Sequence, residues 1–121
     1  MKQFQTREEL LQNTIDYFWG RPERQCLSPK GGCQYRAQGQ SEGCAIGRLL
    51  DISLCEKLDV NNYSVECDST FEKLPDWLKN LGQSFLVDLQ YLHDNSLLVD
   101  KRESEVKIRM IRHVNTSLIK F

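Results

Sequence analysis

Apolar positions along the chain fall into helical steps over most of its length. Leu11, Ile15 and Phe18 recur at steps of four and three behind Thr6 and Glu9, a capping-box pair, so a first helix is predicted to open after Thr6. Gly20 supplies the left-handed stop that helix ends favour, and Pro22 follows. Ile46, Leu50, Leu54 and Leu58 step by four, which predicts helix from about Gly47 to Leu58; Asp51, a good capping residue, divides it in two. Leu74-Pro75-Asp76-Trp77-Leu78 reads as a helix start with proline in the first turn, interrupted at Gly82. Phe85, Leu86, Leu89 and Leu92 place one face of a stronger helix over Gln83–His93. Asp100 and Glu103 open a last one, in which Val106, Met110, Val114 and Leu118 step by four towards the C-terminus.

Two stretches break that period. Residues 21–32, with Pro22, Pro29, Gly31 and Gly32, read as a loop, and so do residues 59–69, with Val65 and Cys67 as a brief extended piece. Between them Cys33-Gln34-Tyr35-Arg36-Ala37 alternates apolar and polar, a polar glycine-bearing turn follows, and Cys44-Ala45-Ile46 offers a return strand. The expected fold is α+β. One mainly helical domain, residues 1–121, packs four to five helices around one small β-hairpin, and the first, fourth and last helices supply most of the core.

Composition narrows the class. Of the 121 residues 40% are apolar and 27% charged, and the net charge of −1 gives no bulk field for nucleic acid or an anionic membrane. No apolar run approaches the roughly 18 residues a bilayer crossing needs, and the first residues lack the apolar stretch of an export signal, so a cytoplasmic protein is expected. Its five cysteines, Cys26, Cys33, Cys44, Cys55 and Cys67, are then expected reduced and mostly structural. Their spacing shows no short zinc-binding pair, so no metal and no cofactor are assigned.

Two constellations can carry chemistry. Gly43-Cys44-Ala45-Ile46-Gly47-Arg48 sets a cysteine where a strand gives way to a helix, and unsatisfied helix amides stabilise a thiolate. A nucleophile needs a base: His93, oriented by Asp94, makes Cys44–His93–Asp94 the candidate catalytic set. Arg21, Arg24 and Lys30 in the glycine-bearing loop, with Arg48, are the candidate anion- or nucleotide-binding cations; the loop lacks a P-loop ending. Arg102, Arg109 and Arg112, with Glu105 among them, suit a solvated face with internal ion pairs better than a DNA-reading helix. Trp19, Tyr35, Tyr63, Trp77 and Tyr91 are the aromatic candidates for a protein interface.

Cys33-x-Tyr35, the run Cys44-Ala-Ile-Gly-Arg-Leu, Leu74-Pro75 and Leu86-x-x-Leu89-Gln90-x-x-His93-Asp94, over roughly residues 15–95, together resemble small proteins of bacteriophage and bacterial genomes to which no activity attaches. The resemblance implies a phage- or mobile-element-associated accessory protein inside a bacterial cell, and carries over no site residues. The leading expectation is a non-enzymatic protein that binds another protein, homo-oligomers included. A cysteine-dependent enzyme and an anion-binding protein are the rivals.

Overall fold

The computed structural model describes residues 3–27, 34–37, 39–61 and 64–121. Among them are six α-helices: α1 (Arg7–Phe18), α2 (Ile52–Asn61), α3 (Asp68–Glu72), α4 (Asp76–Lys79), α5 (Gln83–Asp94) and α6 (Glu103–Met110). Short 3-10 turns cover Pro22–Arg24, Gly47–Leu49 and Thr116–Leu118.

α1 begins as its sequence dictates. Thr6 Oγ1 accepts the Glu9 amide at 3.1 Å and donates to Glu9 Oε1 at 3.0 Å. The helix ends before Gly20, whose φ is 69°. Leu10, Leu11, Ile15 and Phe18 of α1 are buried against Phe85, Leu86, Leu89 and Leu92 of α5, with Val106 and Met110 of α6 in the same core. Asp51 does cap: its Oδ1 accepts the Leu54 amide at 3.0 Å, which separates the turn at Gly47–Leu49 from α2.

The β-hairpin, and with it the α+β class, is overturned. The described residues hold no strand and no sheet, only isolated bridge residues at Leu27 and Ser41, and Cys33, its expected first residue, lies outside them. The backbone groups that a partner strand would have satisfied go elsewhere. The amides of Tyr35 and Arg36 donate to the Asp59 carboxylate of α2, at 2.8 and 3.0 Å. Ile46 is already helical in backbone, φ −92° and ψ −43°, so 44–46 cannot return as a strand. The alternation does not track burial, since Gln34 and Tyr35 are both inside while Arg36 and Ala37 are both exposed.

Two further expectations are corrected. α6 stops at Met110 and Leu118 is exposed, because the chain turns to bring His113 onto Asp88 and Asn115 then caps the last 3-10 turn. In place of an uninterrupted loop over 59–69, α2 runs on to Asn61 and α3 begins at Asp68; Val65 lies in a turn rather than an extended piece.

The described parts of residues 25–50 are held by side chains where secondary structure would normally hold them. Gln25 Nε2 donates to the His93 carbonyl at 2.8 Å, the Cys26 amide donates to His93 Nε2 at 3.0 Å, and the Ile46 amide to Gln90 Oε1 at 3.3 Å. Gly47 lies directly against the Tyr35 backbone: a Cβ there would come within 2.6 Å of both the Tyr35 carbonyl carbon and Cα. The segments quoted for the resemblance, around Tyr35, Cys44–Leu49 and Gln90–Asp94, thus meet one another as the scaffold of one loop.

Candidate functional site

The catalytic set does not come together as the sequence suggested. Both ring nitrogens of His93 serve the scaffold. Nε2 accepts the Cys26 amide, so the proton sits on Nδ1, which lies 2.8 Å from Asp94 Oδ1. Asp94 Oδ1 also accepts from Gln90 Nε2 at 2.8 Å. Packed edge-on to Phe18 and with no side-chain surface in contact with solvent, the imidazole has no lone pair left to take a proton from a thiol. His93 and Asp94 do form a pair, as expected, but it orients a loop. Cys44 is fully buried, and its Sγ accepts the Gly47 amide at 3.3 Å.

The thiols around Cys44 are equally shielded. Burial, with the nearby Cys44, pushes the Cys26 thiol up to about 11; the Ser41 hydroxyl opposes that shift, and Cys26 Sγ lies 3.0 Å from the Arg36 carbonyl. Cys55 donates to the Gly47 carbonyl at 3.3 Å and is pushed up to about 12, again mainly by burial. Cys67 is the opposite case. It is partly exposed at the start of α3, and contact with the Ser69 hydroxyl and the Ser69 and Thr70 amides lowers its thiol. Iodoacetamide at pH 7.5 is therefore expected to label Cys67 well before Cys26, Cys44 and Cys55, read by peptide mass spectrometry. Faster labelling at Cys44 would restore the enzyme reading. Among the described residues no three His, Cys, Asp or Glu side chains converge to hold a metal ion.

The anion-binding cations fare differently. Lys30 lies outside the described residues, and Arg21 is exposed, with no side-chain hydrogen bond or ion pair among the described residues. Arg24 and Arg48 both lie near the Tyr17 ring. Their guanidinium carbons lie 4.5 and 5.3 Å from the Tyr17 ring centroid, close enough for cation–π attraction. Arg24 Nη1 donates to the Tyr17 carbonyl at 3.0 Å, and Arg48 Nη2 to Thr14 Oγ1 at 3.0 Å. Thr14 can accept because its own proton goes to the Leu10 carbonyl. The Tyr17 hydroxyl accepts the Glu42 amide at 2.7 Å. The sequence offered the four cations but not Tyr17 or Thr14, which look like ordinary helix residues.

A third place stands out by exposure. Ile108 and Ile111, one helical step of three apart, are 75% and 69% exposed, and Tyr91 is 40% exposed. Tyr91, Leu97, Glu105, Ile108 and Arg109 line a shallow concavity of about 340 Å³. The Arg109 guanidinium stacks 3.6 Å over the Tyr91 ring while its Nη1 donates to Asp88. Of the other aromatic candidates Tyr35 is buried, Trp19 and Trp77 pack on the core, and Tyr63 lies outside the described residues.

Among the described residues no helix is long and apolar enough to cross a membrane. No family model, curated protein or solved structure matches the chain.

Proposed function

We propose that this chain is a non-enzymatic accessory protein, of phage or mobile-element type and acting in a bacterial cytoplasm with reduced thiols, that works by binding protein. The observation that carries the reading is Ile108 of α6, beside Tyr91, with Ile111 at the helix's C-terminal cap: both are left exposed, while the other apolar residues of α6, Val106 and Met110, are fully buried. Two large aliphatic side chains held side by side in water favour a covering surface.

The occupant this face fits is the same face of a second copy. α6 is acidic in its first turn, at Glu103 and Glu105, and basic in its last, at Lys107 and Arg109, with Arg112 just beyond. Two copies packed antiparallel about a twofold axis set each acidic end against the partner's basic end, with the isoleucines between. Of the ion pairs within one copy, Arg102–Glu105 and Lys107–Glu103 are solvent-exposed and exchange at small cost, while Arg109 and Arg112 stay paired with Asp88. The apolar area is small beside a standard interface of about 800 Å² per partner, so association in the micromolar range is expected.

Sedimentation equilibrium tests this directly. The wild type is expected to be dimeric at about 100 µM, a range set by that small interface. The double variant Ile108→Glu, Ile111→Glu is expected to be monomeric, with an unchanged circular dichroism spectrum. A wild type that stays monomeric throughout removes this face as the contact between copies.

A further inference from the structure

Three half-buried side chains near the end of α1 present an unbalanced charge. Arg48 is the sharpest case. Its Nε is shut off from solvent and has no hydrogen-bond partner, while Nη2 is held by a neutral hydroxyl, Thr14. Among the described residues no carboxylate lies within ion-pairing distance of Arg48 or of Arg24, although Arg36, Arg109 and Arg112 each have one in Asp59 or Asp88. Burial lowers the Arg48 guanidinium to about 10, against the opposing pull of Glu42, whose side chain is exposed.

A buried cation without a paired carboxylate costs stability, and that cost falls when an oxyanion reaches the solvent-facing part of its guanidinium. The aromatic walls of Tyr17 and Phe18, the latter 6.0 Å from the Arg48 guanidinium carbon, lower the local dielectric and strengthen such a contact. Arg24, Arg48 and Tyr17 are each half-buried, so each keeps part of its surface in solvent. A carboxylate would neutralise one of the two cations. A phosphoryl group, with a charge of about −1.5 to −2 at neutral pH and three acceptor oxygens, answers both.

The geometry points to a phosphate-binding site formed by Arg48 and Arg24 around Tyr17, taking either free inorganic phosphate or the phosphate of a small phosphomonoester. Its location on α1 and the 47–49 turn makes it independent of the contact through α6.

The test is a thermal-shift titration of the full chain at constant ionic strength with inorganic phosphate, adenosine monophosphate and adenosine. A saturable rise in Tm with phosphate identifies the free ion as sufficient. A rise with the monophosphate but not with phosphate or adenosine identifies an ester. In either supporting case Arg24→Gln, at a half-buried position whose loss the fold tolerates better, binds roughly tenfold or more weakly, as does Arg48→Lys, which keeps the charge but not the fork. Arg21→Ala keeps the full shift. No saturable rise with either anion, an equal rise with adenosine, or a rise undiminished in both Arg24→Gln and Arg48→Lys overturns the assignment.

Discussion

Gly47→Ala is expected to be the most damaging single substitution in the chain, costing about 3–5 kcal/mol or preventing folding altogether. Overpacking in a core usually spreads into side-chain rotation, but here the added methyl meets backbone: the carbonyl carbon and Cα of Tyr35, each at 2.6 Å. Neither side can retreat cheaply. Tyr35 is buried and its amide is held by Asp59. On the other side Gly47 gives its amide to Cys44 Sγ and its carbonyl accepts the Cys55 thiol, while Ile46 beside it is bonded to Gln90. Gly20→Ala is the matched comparison. Its Cβ would meet only the flexible end of Lys101, so the loss is about 1 kcal/mol, from the left-handed φ. Urea unfolding of the two variants separates the cases. A Gly47→Ala loss no larger than that of Gly20→Ala would mean that the 34–36 segment does not pack on Gly47.

The second large effect is at Asp88, which joins α5 to the chain after α6. Its carboxylate receives His113 Nε2 at 2.6 Å, Arg112 Nη2 at 2.9 Å and Arg109 Nη1 at 3.2 Å, and its side chain is almost wholly buried. Burial alone pushes such a carboxyl up. The His113, Arg112 and Arg109 hydrogen bonds outweigh it, and the net shift is downward. Asp88→Asn removes the charge and leaves His113, only 6% exposed, against a neutral amide. The cost is about 3 kcal/mol at pH 7, at the low end for a broken buried pair because both arginines are partly solvated. The pH dependence has a definite sign. A carboxyl lowered in the folded state contributes stability above its unfolded value, near 4, and loses it as pH falls through the folded value. The gap between wild type and Asp88→Asn in urea midpoint is therefore expected to be widest near neutrality and to close below about pH 4. A gap that stays constant down to pH 3 would show that packing, not charge, is what Asp88 supplies.

How far the sequence reached depends on the range of the interaction involved. The Thr6–Glu9 cap, the stop at Gly20, the Asp51 cap and the α5 face at Phe85, Leu86, Leu89 and Leu92 are written within four residues of one another, and all four are present in the fold. The hairpin was misread because apolar–polar alternation over Gln34–Ala37 does not name the partner of the backbone amides. That partner proved to be Asp59, more than twenty residues on, which no periodicity reveals.

The candidate sites divide the same way. Cys44, His93, Arg24 and Arg48 were visible as residue types able to do chemistry, and only their surroundings decided their use. His93 is taken up by the Cys26 amide 67 residues away, and Arg48 by Thr14 across 34. The sequence by itself determined where α1, α2 and α5 start and which faces α1 and α5 bury, because caps and apolar stripes act locally; it did not show α3, and α6 starts after Arg102 without the expected side-chain cap. Tertiary structure alone decided that His93 holds a loop, that two arginines share Tyr17 with no carboxylate paired to either among the described residues, and that Ile108 and Ile111 stay in water. Each of those outcomes depends on which distant groups the folded backbone brings within bonding distance.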